Sequence, residues 1–185
     1  MNLMIPNLTL LLMTCQKACL IIDRLVEALA NDASSSLRRA MILADIDQYP
    51  GTTQTGIMER LRLNKSAVNR EIDWLFNYGC IMVKECDNDA RSKTIHICGY
   101  SKAALDEALN YMGGSHDKLQ GFLNGLARFL KQEKPTLREA KIVSAIYEKK
   151  GAEKADVIKD LYEGSASTKN RVVNKLIEDG ILSDA

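Results

Sequence analysis

Apolar residues recur along this chain with two different periods, and the change of period marks its most informative stretch, Leu61 to Ile97. Val68, Ile72, Leu75 and Phe76 follow helical spacing, with Lys65, Ser66, Asn69, Arg70 and Asp73 between them. Asn64 precedes the run as an N-cap, because its side-chain oxygen accepts an otherwise unpaired N–H of the helix. Gly79 closes the helix where a left-handed residue costs little. Ile81 and Val83 then alternate with polar neighbours, as do Thr94 to Cys98, and Asp87, Asn88 and Asp89 supply turn chemistry between the two runs. The pattern predicts one helix feeding a two-stranded hairpin whose tip carries Arg91 and Lys93.

The flanking sequence is helical. Pro6 starts a helix to about Ala30, with Leu8, Leu11, Leu12, Cys15, Cys19, Ile22, Val26 and Leu29 in a broad apolar stripe. Ser36 caps a helix from Leu37 to Tyr49, which Pro50-Gly51 ends. Thr52 or Thr53 caps a short helix, Gln54 to Leu61, and Arg62-Leu63 turns the chain into the Asn64-capped helix. Beyond the hairpin, Ser101 to Met112 is helical and Gly113-Gly114 breaks it. Ser115 caps His116 to Gln132, where Leu119, Phe122, Leu123, Leu126, Phe129 and Leu130 form one apolar stripe. Gly121 and Gly125 on that helix hint at close packing of another helix.

Thr136 to Ala185 repeats the first unit. Leu137-Arg138-Glu139-Ala140-Lys141-Ile142 aligns with Leu37-Arg38-Arg39-Ala40-Met41-Ile42, and Gly151 with Gly51. After one added residue Ile158 matches Ile57, and Ser165 to Arg171 matches Asn64 to Arg70. Leu176 and Gly180 then match Leu75 and Gly79. This predicts a second helix-turn-helix, Thr136 to Asp179, in which Ile181 to Ala185 supplies at most the first strand of a wing. The expected fold class is mainly α with a small β wing, built as tandem (winged) helix-turn-helix domains joined by long helices. The expected divisions are an N-terminal dimerisation helix over 1–35, a winged helix-turn-helix over 36–112, a connecting helix over 113–134 and a second helix-turn-helix over 135–185.

A helix with an apolar face and a basic, amide-bearing face can lie in a DNA major groove, where Ser, Asn and Arg reach base edges and phosphates. A hairpin with Arg at its tip can reach the adjacent minor groove. A charged solvated helix beside an ordinary surface hairpin is the plainer alternative. The residues here are nevertheless specific in their order. The segment resembles the winged helix-turn-helix of the multiple-antibiotic-resistance regulator (MarR) family. Asn64-Lys65-Ser66-Ala67-Val68 opens the recognition helix, Leu75 and Gly79 close it, and Asp89-Ala90-Arg91-Ser92 matches the family's Asp-x-Arg-Arg or Asp-x-Arg-Ser wing. Cys98 to Leu105 is similar to the turn that starts the family's next helix, with Cys98 where Thr is usual. The likeness covers about Leu37 to Leu109. It implies that Ser66, Asn69 and Arg70 read bases, that Lys65 holds phosphate, and that Arg91, with Lys93 nearby, enters the minor groove. It also implies a homodimer through the N-terminal and connecting helices, and it allows a small-molecule effector. In the second unit Ser167, Lys169, Asn170 and Arg171 stand at the corresponding positions. They touch DNA, or the unit is a degenerate copy used for protein contacts.

Composition narrows the function without adding to this reading. The chain has 185 residues and a net charge of +1, with a pI near 7.6. A nucleic-acid binder is usually basic overall, so any positive field must be local. Five cysteines in no scaffold spacing fit a reducing cytoplasm. Lys17, Asp23 and Arg24 interrupt the apolar N-terminus too early for a membrane span. No nucleophile–base pair, phosphate loop or zinc spacing points to an enzyme or a cofactor, and none is expected. Cys80, Cys86, Cys98 and His96 share one hairpin; small core residues are the simplest account of the three thiols, ahead of a metal site or a redox sensor. The expected function is a sequence-specific double-stranded DNA-binding transcriptional regulator in the cytoplasm. Two further readings remain: a plasmid or phage replication or partition protein, and a tandem winged-helix protein–protein scaffold.

Overall fold

The computed structural model of the protein describes residues 3–4, 15–86, 89–148 and 165–184. Its elements are β1 (Leu3–Met4), α1 (Cys15–Ala28), α2 (Leu37–Gln48), α3 (Gln54–Leu61), α4 (Lys65–Asn77), β2 (Ile81–Cys86), β3 (Asp89–Ile97), α5 (Gly99–Tyr111), α6 (His116–Leu130), α7 (Leu137–Glu148), α8 (Ala166–Glu178) and β4 (Ser183–Asp184).

Local chemistry sets most of these boundaries. The Ser36 hydroxyl accepts from the Arg39 N–H and starts α2, Thr53 accepts from Gly56 and starts α3, and Asn64 accepts from Ala67 at 2.8 Å and starts α4. Arg62, at φ 53°, makes the left-handed link between α3 and α4. Cys98 occupies the N-cap position of α5, where its thiol makes no capping bond. A Thr hydroxyl could make that bond, so the departure from the family pattern leaves this helix end less well satisfied.

The hairpin is antiparallel, with Ile81 opposite Ile97 and Glu85 opposite Lys93. The register breaks between Glu85 and Cys86, because Cys86 pairs with Asp89. The strand therefore begins at Asp89, earlier than the alternation at Thr94 predicts. Thr52 bridges to Ile95, with Ile95 N–H donating to Thr52 O at 2.8 Å and Gly51 N–H to Ile95 O at 3.2 Å. That bond pair ties the α2–α3 corner to the hairpin. Gly51 adopts φ 78°, which a side chain would strain.

The centre of the molecule is α2. Leu37, Ala40, Ile42, Leu43, Ala44 and Ile46 are all buried, and so are Asp45 and Asp47. Met41, apolar and one position after the buried Ala40, is only partly buried. The two buried carboxylates are paired. Asp45 takes a bidentate contact from Arg60, at 2.9 and 2.7 Å, and Asp47 meets His116 Nε2 at 2.8 Å and Lys102 Nζ at 3.2 Å. Unpaired, each would cost several kcal/mol.

Two features of helix packing within the chain bear on the apolar stripes. The described part of the N-terminal helix, α1, lies on α5 and α7 of its own chain. Ile21, Ile22, Leu25 and Leu29 are fully covered there, and Lys141 pairs with Asp23 across the contact. The stripe's earlier residues, Leu8 to Leu12, and the Pro6 start lie outside the described residues. Gly121 is exposed, and a Cβ there would meet nothing within 4 Å among the described residues, so no described helix approaches it closely. The stripe on α6 behaves as expected in burying Leu119, Phe122, Leu123, Leu126 and Leu130, and α6 packs on α2.

Equal-length helices fall at the repeated positions. α7 has the 12 residues of α2, α8 has the 13 of α4, and Gly180 shares φ 68° with Gly79. The segment around Gly151 and Ile158, expected to hold the middle helix of the second unit, lies outside the described residues. β4 pairs with β1, so the chain's first described residues complete its last strand.

Because α1 is buried within its own chain, Leu25→Ala should lower stability by about 2–5 kcal/mol. The urea midpoint of the variant should not depend on protein concentration. A midpoint that rises with concentration would place Leu25 in a contact between chains.

Candidate nucleic-acid interface

The exposed side of α4 begins at its N-terminus. Lys65, Ser66 and Arg70 are exposed, Asn69 is half-buried, and Ala67, Val68, Glu71, Ile72 and Leu75 form the buried side. Ser66 Oγ donates to Asn64 Oδ1 at 3.0 Å, the same oxygen that caps the helix. The hydroxyl oxygen of Ser66 stays available as an acceptor. Asn69 sits less openly than the spacing suggests: its Oδ1 is buried with no partner among the described residues. Its amide N–H groups are the part that can face outward.

One of the acidic residues interleaved here in the sequence, Glu71, is withdrawn from the surface. Glu71 is only 5% exposed. Its carboxylate takes the Arg39 Nε at 3.0 Å. Arg39 also meets Ser35 Oγ at 3.0 Å and lies over the Trp74 ring at 3.7 Å from its centroid. Trp74 in turn stacks on Tyr78 at 4.1 Å. One guanidinium thus fixes α4 against α2 and neutralises the helix's buried acid. Asp73 remains exposed, one turn from the basic end.

Lys93 is exposed on β3, and Glu85, opposite it, is exposed as well. Arg91 belongs to the same strand by its backbone, within the irregular tip that closes at Cys86–Asp89; its side chain is not among those described. Between α3, α4 and the hairpin runs an open groove of about 570 Å³, with Thr53, Thr55, Asp73, Phe76 and Lys93 on its walls. Phe76, expected in the core, is 53% exposed in this groove. Leu75 is buried beside Ile72 and Val68, and the next position, Phe76, falls on the groove side of the helix. Thr53 and Thr55 are additional polar groups beside the α4 face; the capping role of Thr53 was the only sequence signal for either.

In the second unit Ser167, Asn170 and Arg171 are exposed on α8, and Lys169 is half-buried. Asn170 Nδ2 donates to Ala166 O at 3.0 Å. A second cleft, about 720 Å³, opens between α2, the end of α3 and α6, where Arg38, Asp45, Arg60, Asn124 and Arg128 line it. Among the described residues no three of His, Cys, Asp and Glu come together to hold a metal. No described helix is long and apolar enough to cross a membrane.

Three helices, α2 to α4, followed by the β2–β3 hairpin define a winged helix-turn-helix. Residues 36–93 match the model of the MarR family. Among solved structures, the chain is similar to the reduced form of MarR from E. coli, at 16% identity and a TM-score of 0.42, over 68% of this chain and 97% of that one. It is also similar to the transcriptional regulator SlyA, at 19% identity and a TM-score of 0.38, over 50% of this chain and 72% of that one. A comparison with curated proteins found no match.

Removing the guanidinium at position 39 leaves Glu71 buried and alone. Arg39→Ala should therefore cost about 3–5 kcal/mol in urea denaturation. Glu71→Gln should cost less, because Arg39 keeps Asp32 at 3.7 Å and the Trp74 ring as partners; an equal or larger loss would show that the pair does not govern the α2–α4 contact. Cys80 gives a pH-dependent check. Burial pushes its thiol pKa up, against a smaller lowering by Ser101. The thiol, 1% exposed, stays protonated at pH 8. Iodoacetamide at that pH should label Cys98 before Cys80, and Cys80 only on unfolding.

Proposed function

We propose that the protein is a double-stranded DNA-binding transcription regulator that places α4 in the major groove and the β2–β3 wing in the adjacent minor groove. The observation that carries this reading is the sorting of charge on α4. Lys65, Ser66 and Arg70 face outward from a capped, rigidly seated helix, while the intervening Glu71 is withdrawn and paired. In that arrangement Lys65 takes a phosphate, Ser66, Asn69 and Arg70 reach base edges, and Arg91 and Lys93 follow the wing into the minor groove. The family match over residues 36–93 supports the same reading. The cleft beside α6 is a suitable place for a small-molecule effector.

Fluorescence anisotropy on duplex DNA at two salt concentrations tests it. Affinity should fall steeply as salt rises. Arg70→Ala should cost about 1–3 kcal/mol of binding and relax base preference, whereas Lys65→Ala should weaken all sequences alike and reduce the salt slope by about 1. Absence of binding even at low salt would transfer the exposed Phe76 and Tyr78 to a protein partner and make the tandem units a scaffold.

A further inference from the structure

The internal repeat is arranged around a local two-fold axis. Ser36 bridges Thr136 in antiparallel fashion. Leu37 N–H donates to Pro135 O at 2.8 Å, and Leu137 N–H donates to Ser35 O at 2.9 Å. Each bond becomes the other when the two units are exchanged. Antiparallel pairing always has such an axis between its strands; here the residues it exchanges are the aligned first residues of the two repeats.

The exchange extends well beyond the bridge. Ser36 caps Arg39 N–H at 3.1 Å, and Thr136 caps Glu139 N–H at 3.2 Å. Those same aligned positions hold the aligned fourth and eighth helices. Arg39 lies over Trp74, and Glu139 meets Lys175 at 3.4 Å, with Trp74 and Lys175 each ten residues beyond their helix caps. Cys80 N–H closes α4 onto Leu75 O at 2.8 Å, as Ile181 N–H closes α8 onto Leu176 O at 2.9 Å. The preceding helices cross over reciprocally. α1, which leads into α2, packs on α7, and α6, which leads into α7, packs on α2. The crossing also carries the chain's start to its end, where β1 pairs with β4.

We infer that one chain is a pseudo-dimer that binds, without a second copy, a single inverted repeat with unequal halves: α4 and its wing on one half, α8 on the other. This rests on the DNA-binding reading above. An axis that exchanges the two units turns corresponding faces of α4 and α8 the same way along its direction. Ser66, Asn69 and Arg70 recur as Ser167, Asn170 and Arg171, all exposed except the half-buried Asn69. The halves differ because Lys65 is replaced by Ala166, the buried Val68 by Lys169, and the buried Glu71 by Val172. The described apolar faces of α1 and α6 are covered inside one chain, at Ile21, Ile22 and Leu25 and at Leu119, Leu123 and Leu126.

The test combines mass with site selection on the full chain. Sedimentation equilibrium should find a single species of 20.6 kDa. Duplexes selected from a random pool should carry an imperfect inverted repeat and bind one chain each. Arg171→Ala should lower affinity for the selected duplex about tenfold and erase base preference in one half only, and Arg70→Ala in the other half only. Two chains on each repeat, or an Arg171→Ala variant with both halves still selected, overturns the inference. A dimeric free chain that binds duplex overturns it and leaves the DNA-binding reading standing. A monomer that binds no duplex overturns that reading and the operator half of this inference with it, while upholding the pairing of the two units within one chain.

Discussion

Arg39 holds together the part of the molecule on which the proposed interface depends. Its guanidinium meets the Glu71 carboxylate and the Ser35 hydroxyl and lies on the Trp74 ring. Both partners across the contact, Glu71 and Trp74, belong to α4. A helix that presents side chains to a partner must itself be fixed in direction, and a planar, always-charged group with both ionic and aromatic contacts fixes rotation as well as distance. Packing of Val68, Ile72 and Leu75 alone would leave the helix freer to roll. The capping oxygen of Asn64 fixes the other end of the same helix, and its bond from Ser66 ties one exposed residue to the cap.

Charge in this protein works by position. The whole chain is close to neutral, and in the sequence the basic residues of the recognition segment are diluted by acids. Folding removes one of those acids, Glu71, from the surface, and two more from the neighbouring α2. Glu71, Asp45 and Asp47 are buried against Arg39, Arg60, and the pair Lys102 and His116. The residues left at the start of α4 are the uncompensated ones. A net charge summed over a chain therefore says little about the field at one helix end, where screening limits the reach of distant charges to about 10 Å.

Most helix boundaries were legible because caps are local chemistry. Ser36, Thr53, Asn64, Ser115 and Ser165 each make the bond that their side chains suggest. What periodicity did not disclose was burial that depends on tertiary partners. Asp45 and Asp47 look like the solvated side of α2, yet Arg60 comes from fifteen residues away and His116 from sixty-nine. Phe76 fits the apolar stripe by type but falls one step past Leu75, on the open side. The apolar stripe of α1 announced a buried helix without naming what buries it, since a helix face carries no label for its own chain or another. For the candidate site, the basic and amide positions on α4 were legible from spacing alone, whereas the withdrawal of Glu71 and of the Asn69 carbonyl oxygen was not.

The reciprocal bridge between Ser36 and Thr136 has a consequence for how such a molecule changes over generations. In an assembly of identical subunits every substitution appears twice, so both reading surfaces must change together. Here the two corresponding helices are encoded separately. Lys65 and Ala166, or Val68 and Lys169, have already parted company while Asn-Arg persists in both. On the inferred two-site reading, one helix is free to drift toward a new target while its counterpart preserves the old one, with the shared seam at residues 35–37 and 135–137 holding the pair in register.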